Sequence, residues 1–256
     1  MQIPFAPFRS LISNEGSCGG RGIILLKRPK LCVVVKRVRI FQREVLAKLG
    51  NFLRLDKYDV AVPEHRTGKL SDTQTIVNVF RGDAVAGLLH LTHLGKHYIL
   101  LVEQFRLPTL IDPISGLPDL ERANRDEHAG RLVELIAGTQ EPDEPWLETF
   151  RRECLEETGL VVENVEFISS FYPSPGACSE QIHLYYGHID WPDDQPLPGT
   201  TDEVSFGVDN EDIRRITLEI DEFLRQIESG EISDAKCFVA AEWIRRPGSP
   251  QKMGLE

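Results

Sequence analysis

Hydrophobic and polar positions change period several times along this chain of 256 residues. Val38-Arg-Ile-Phe, the segment 51–62 and Thr75-Ile-Val-Asn-Val-Phe alternate with a period of two and are rich in β-branched and aromatic residues, which predicts three strands. Gly50-Asn51 and the polar stretch 64–69 supply the turns between them. The runs 83–91 and 97–106 are apolar enough to be strands buried on both faces, joined by a turn near Gly95. Residues 111–130 combine Pro, Gly and many charges and read as a long loop, and 134–138 reads as a short strand ended by a glycine.

A helix is predicted from Pro145, a residue suited to the first helical position, to Thr158, with Gly159 as its stop. Strands follow at 165–171 and 181–189, then helices at 218–229 and 234–246, the second ended by Pro247. No internal repeat is present. The pattern divides the chain into a segment 1–35, a small antiparallel β unit over 36–82, and a main α/β (α+β) domain over 83–248.

Charge changes the picture in two places. The net charge is −11, yet residues 1–50 hold ten Lys or Arg against two Asp or Glu, so the remainder carries −19. An acidic body argues against nucleic-acid binding by phosphate neutralisation, and the basic segment lacks a recognised nucleic-acid motif. Residues 1–35 are open to three readings: a targeting peptide, a flexible tail, or residues upstream of the true start. A poorly ordered tail is the expectation. Apolar runs are too short for a membrane-spanning helix, so no membrane partner is expected. Five cysteines without a CxxC pair point to reduced thiols and a cytoplasmic setting. Cys178, in a predicted loop, has no histidine in a partner motif and is not read as a nucleophile.

The chemistry concentrates in residues 138–160, GTQEPDEPWLETFRRECLEETGL. On the predicted helix Glu153, Glu156 and Glu157 stand at i, i+3 and i+4, so their carboxylates share one face. Such crowding is unfavourable in an isolated helix and makes sense with a cation between the carboxylates. A solvated acidic helix is the plainer alternative. Mg²⁺ takes hard oxygen ligands and is commonly shared between carboxylates and substrate phosphates. Gly138 lets the backbone approach metal or phosphate closely, and Arg152 is placed to orient the carboxylates from behind by pairing with Glu144. Seven fixed identities (Gly138, Glu144, Arg152, Glu153, Glu156, Glu157, Gly159) in one short window exceed what residue frequencies produce by chance, so the functional reading is preferred.

This window resembles the Nudix box, G-x5-E-x7-R-E-U-x-E-E-x-G-U, at every fixed position, with Cys154 as a soft departure at an aliphatic position. Cysteine behaves there as a small hydrophobe. Further segments resemble the branch of the Nudix hydrolase superfamily that holds ADP-ribose pyrophosphatases and GDP-mannose pyrophosphatases: 80–84 (FRGDA), 102–106 (VEQFR), 174–180 (SPGACSE), 209–213 (DNEDI) and 230–235 (GEISDA). Pro175 lies fifteen residues past the box, where the ADP-ribose branch carries proline.

The resemblance implies a Nudix fold, a mixed sheet sandwiched between helices and preceded by a small antiparallel N-terminal sheet. It implies Mg²⁺, or Mn²⁺, held by the Ala137 carbonyl, Glu153 and Glu157 with Glu156 and Glu211 as further ligands. Arg81, Arg106, Glu180 and Gly138 would contact substrate. The family's loop carboxylate is replaced by Asp209, whose shorter side chain leaves Glu211 or Asp212 to take over proton abstraction. The implied reaction is hydrolysis of the pyrophosphate bond of a nucleoside diphosphate sugar, ADP-ribose first, giving AMP and ribose 5-phosphate. GDP-mannose is the alternative, and a non-catalytic nucleotide-sugar sensor on the same fold is the alternative from another class. The branch also implies a homodimer formed by the N-terminal strands.

Overall fold

The computed structural model describes residues 34–35, 38–50, 53–201, 205–208, 211–249 and 253–255. The predicted tail lies almost wholly outside the described residues. The chain divides into two compact units, Met1–Asn78 and Val79–Glu256.

The first unit is built on a sheet in sequential order: β1 (Val34–Val35), β2 (Val38–Leu49), β3 (Leu53–Ala61) and β4 (Gln74–Phe80), the last running across the division. β2 and β3 form an antiparallel hairpin around Gly50, whose φ of 57° lies in the left-handed region that such a turn requires. β2 is far longer than the alternating run 38–41 predicted. Its register shifts at Ile40/Gln42 and again at Val45/Ala47, and each extra residue breaks the period of two by which a strand is recognised. Asp56 is fully buried and holds Arg43 and Arg54 at 3.0 and 2.8 Å. Burial alone raises its pKa; the two guanidiniums more than offset this and hold it below the usual carboxylate range. Val45, Leu46, Leu49, Ile76 and Val77 of these strands stand exposed.

In the second unit a mixed sheet runs in the order β11 (Arg214–Glu219), β6 (Lys96–Phe105), β5 (Ala84–His93), β10 (Ile182–Asp190), β9 (Asn164–Phe171). Two short strands, β7 (Arg131–Glu134) and β8 (Ile136–Thr139), pair with β6 and β5. β5 runs parallel to β10 and antiparallel to β6. Its run of buried residues follows from having a core on each side. Ala84, Ala86 and Leu88 face the core capped by α3 (Ile220–Ser229) and α4 (Ala235–Ile244). Val85, Leu89 and Leu91 face the core under α2 (Trp146–Thr158), with Phe150 and Cys154. The sandwiched mixed sheet is the expected architecture.

Three details differ from expectation. The segment 111–130 contains a bridge between Ile111 and Pro118 and a short helix, α1 (Leu120–Arg125), capped by Asp119. Residues 214–219, of which 218 and 219 were expected to open a helix, form edge strand β11 against β6; Ile216 and Leu218 alternate with the polar Arg215, Thr217 and Glu219, which suits a strand half open to solvent. Pro145 takes an extended conformation and stands just ahead of α2 rather than inside it.

Candidate active site

The helix α2 presents its acidic face to β8. Gly159, with φ of 71°, ends the helix by returning its N–H to the Leu155 carbonyl. The approach to β8 is close enough that any side chain at 138 would have to displace the Glu153 carboxylate. A Cβ there would lie 1.8–2.1 Å from the carboxylate atoms of Glu153. One position along, the Ala137 N–H donates to Glu157 Oε2 at 3.1 Å. The glycine-ended strand and the glutamates of the box are therefore a single built object.

Arg152 organises the rest. Its Nε and Nη2 donate to the two oxygens of Glu144 at 3.0 and 3.1 Å, the pairing expected from the sequence. Nη2 also reaches the Thr139 carbonyl at 3.2 Å. Nη1 donates to Glu153 Oε1 and Glu156 Oε2 at 2.8 and 2.9 Å, so one cation sits between two carboxylates. The hydrogen bond from Arg152 holds the Glu144 carboxyl down at about 2. Glu153 and Glu157 go the other way. Burial pushes the Glu157 carboxyl up to about 8, helped by the charges of Glu153 and Glu134, against the Ala137 N–H and Arg106. Burial likewise raises Glu153, with Glu156 and Glu211 adding repulsion that Arg152 only partly opposes.

A divalent ion fits this donor set. The oxygens are hard, the ionised forms of the two buried carboxylates lack enough protein partners to offset burial, and the backbone beside them has no side chain in the way. Among the described residues no three acidic, histidine or cysteine side chains are already gathered at ligating distance; Glu153 and Glu156 share Arg152 instead.

Beside this face lies a cleft of about 420 Å³, lined by Ala137, Gly138, Arg81, Arg106 and Glu180 among others. All five were singled out in the sequence for metal or substrate contact. Arg81 Nε lies 3.3 Å from Glu180 Oε1. Glu180 is aimed there because the loop before it is tied down: Val79 exchanges hydrogen bonds with Ala177 and Ser179, and Gln181 donates to the Asp83 carboxylate at 2.9 Å. Arg106 donates through Nε to Glu134 at 2.7 Å.

The loop after residue 204 reaches the end of α2, where the Gly207 N–H donates to the Glu156 carbonyl at 3.0 Å. Glu211 follows it and is near enough to Glu153 to raise that group's pKa. Asp212 is engaged elsewhere, with Arg131 at 3.2 Å and Ser205 at 2.8 Å. Asp209 lies outside the described residues. Sequence reading missed Glu134, Asp234 and Lys236, which also line the cleft. The segment before Lys236 carried the family likeness, but nothing in it marked the lysine itself.

A helix of crowded carboxylates beside a cleft with two arginines is suited to hydrolysing a phosphoric anhydride. The comparisons with known proteins agree. The NUDIX domain family matches residues 83–227. A GDP-mannose pyrophosphatase of Yersinia enterocolitica is 30% identical over 212 residues, covering 83% of this chain and 97% of that protein. The protein of the same name from Cronobacter sakazakii is 30% identical over 168 residues, covering 66% of this chain and 76% of its own. A crystal structure titled as an ADP compounds hydrolase superposes with a TM-score of 0.56 at 13% identity, over 85% of this chain and 99% of that one, a likeness of fold. The chain belongs to the Nudix family and is a Nudix pyrophosphatase.

Proposed function

We propose that this protein hydrolyses the pyrophosphate bond of a nucleoside diphosphate sugar with the help of Mg²⁺ or Mn²⁺. The observation that carries the reading is the Gly138 cradle: a backbone with no Cβ pressed against the carboxylate of Glu153, beside a cleft holding Arg81 and Arg106. Ala137, Glu153 and Glu157 would hold the metal, with Glu156 and Glu211 alongside. When bound, the ion supplies positive charge against the diphosphate and makes a nearby water more acidic. Arg106 and Arg81 bind and orient the phosphates, with Glu180 steadying Arg81. Arg152 keeps the box glutamates aimed at the cleft and ionised Glu144 at its back. Glu211 accepts the proton of the attacking water, since Asp212 is occupied by Arg131 and Ser205. Products are a nucleoside monophosphate and a sugar phosphate.

The relatives' names move GDP-mannose ahead of ADP-ribose, which the sequence placed first. The test is to incubate purified protein with excess Mg²⁺ and each compound, and to follow GMP and AMP. Release of neither overturns the substrate class. Glu157→Gln should lose turnover while retaining ligand.

The exposed Val45, Leu46, Leu49, Ile76 and Val77 support a homodimer in which a second copy covers the N-terminal strands. Sedimentation should give twice the chain mass, and charged substitutions at Val45 and Leu46 should halve it. Cys154, Cys178 and Cys237 are free thiols, the state expected in the cytoplasm.

A further inference from the structure

Glu156 and Glu157 sit in the last turn of α2, and two connections tie that turn to the loop that carries Glu211. One is made by backbone, from the Gly207 N–H to the Glu156 carbonyl at 3.0 Å. The other runs through side chains outside the box. Arg215, half-buried on β11, donates through Nη1 to the Thr158 carbonyl at 2.8 Å. That carbonyl is one of those a helix leaves without an internal partner at its C-terminus, where a cation also meets the negative end of the helix dipole. The same guanidinium lies over the ring of Phe206, 4.2 Å from its centroid, and the negative face of the ring attracts it. Gly159 leaves room for the ring, since a Cβ there would stand 3.2 Å from Phe206 Cε1.

From Phe206 the hold passes to Glu211. Phe206 and Ile213 exchange backbone hydrogen bonds at 2.9 and 3.1 Å, and Ile213 is fully buried in the core under α2. Between them the Glu211 N–H donates to the Val208 carbonyl at 3.0 Å, and the Val208 N–H returns to Glu211 Oε2 at 3.4 Å. Gly207, with φ of 99°, packs so closely on this side chain that a Cβ would lie 2.7 Å from that of Glu211. The loop's further anchor, Asp212 on Arg131, joins largely exposed side chains and contributes little.

We propose that Arg215 is a positioning residue that, through Phe206, fixes where the Glu211 carboxylate stands relative to the box glutamates. This rests on the reading that Glu211 accepts the proton of the attacking water. A loop carboxylate serves as base only within hydrogen-bond reach of that water, whose place is set from α2. Arg215 touches both bodies, the helix end through Thr158 and the loop through Phe206. It does not line the cleft, so it acts on the reaction through the loop.

The test compares Arg215→Met, Phe206→Leu and Phe206→Tyr with wild type in the Mg²⁺-activated hydrolysis of GDP-mannose. Arg215→Met and Phe206→Leu should each lower kcat by about tenfold or more while KM changes less than about threefold, because the phosphate-binding arginines are untouched. Phe206→Tyr, which keeps the ring face, should retain most of the activity. In a Glu211→Gln background Arg215→Met should add less than about twofold, since both act through one carboxylate. Multiplying effects in the double variant overturn the proposal, as does a rise in KM that outweighs the fall in kcat. A fall in kcat that merely follows a fall in Tm does the same. Phe206→Leu covers the case in which the Arg215 variant does not fold. Hydrogen exchange gives a readout that needs no turnover. In Arg215→Met the amides of Gly207 and Ile213 should exchange about tenfold faster or more while those of β9 keep their protection. Unchanged protection at Gly207 and Ile213 refutes the proposal. If wild type cleaved no sugar nucleotide, the functional reading would fail while exchange would still decide whether Arg215 holds the loop.

Discussion

Two sets of buried carboxylates in the second unit are handled in opposite ways. Glu134 and Asp234 are matched by Arg106 and Lys236, so that every carboxylate oxygen of Glu134 has a cationic donor. Glu153 and Glu157 are not matched. Arg152 is shared among Glu144, Glu153 and Glu156, and Glu157 receives one backbone N–H. The difference appears in the acid–base behaviour: Glu157 is pushed up to about 8 by burial, whereas Lys236 is kept charged by its partners. A neutral set fixes geometry, and a set whose carboxylates are short of cationic partners is built to receive a cation. The contrast predicts opposite signs when a charge is removed from each.

The largest effect is expected in the matched set. Glu134→Gln leaves two cations facing one carboxylate in a buried place, and breaking such a pair costs about 3–5 kcal/mol. Chemical denaturation of the metal-free protein should show it, and a loss under about 1 kcal/mol would erase the distinction between the two sets. Glu157→Gln should do the reverse to stability. Removing a carboxyl that burial forces to hold its proton well above the usual range should raise the metal-free Tm by about 2–4 °C, the shift that about 1 kcal/mol gives in a chain of this size. It should also cut turnover by about a hundredfold or more, beyond the usual 10–100-fold cost of an outer-sphere partner. Added Mg²⁺ should stabilise wild type and leave the variant little changed. A variant less stable than wild type without metal would show that Glu157 is matched after all.

How much of this was legible in the chain depended on sequence distance. The box was readable because all its members sit on one helix and the strand before it, where spacing fixes direction. The Arg152–Glu144 pair, eight residues apart, was read for the same reason. The continuous apolar runs of β5 and β6 were readable because a strand buried on both faces needs nothing else. The Glu134–Lys236 pair joins residues 102 apart, and no local pattern carries that information. β2 outran its prediction because two bulges hide its period, and β11 was missed because an edge strand with Arg214, Arg215 and Glu219 looks like a polar connection. The loop carboxylate remained the least legible part, since a loop has no period from which to infer direction.

Gly138→Ala probes how tightly the unmatched set is built. The new methyl group would fall within 2.1 Å of the Glu153 carboxylate, so either the side chain leaves or β8 shifts against α2. A displacement on the order of 1 Å in a positioned group can cost about a hundredfold in rate. The expected outcome is a loss of about that size in kcat/KM with weaker Mg²⁺ activation. Unchanged Mg²⁺ activation would mean that Glu153 does not need its place beside residue 138.

A third buried polar set sharpens the comparison because the imidazole at its centre, His90, is held neutral. His90, fully buried, bonds Tyr186 Oη through Nδ1 at 2.8 Å and His97 Nδ1 through Nε2 at 3.0 Å, and it stacks on His188 at 4.8 Å. Tyr186 packs in turn on Trp243 of α4. Burial, and then the neighbouring His188 and His97, push the His90 pKa down to about 3, with Asp190 opposing weakly. In the unfolded chain this group takes its proton near 6.5, so between that value and about 3 the unfolded state binds more protons. The stability that neutral His90 contributes is complete above the unfolded pKa and is lost progressively on acidification. At pH 5.5, one unit below the unfolded value, the loss should be on the order of 1 kcal/mol. Urea unfolding at pH 7.5 and pH 5.5 measures it, and His90→Gln should flatten the difference by that amount. An equal acid sensitivity in the variant would place the titrating group elsewhere, and His97 and His188 would be the next to replace.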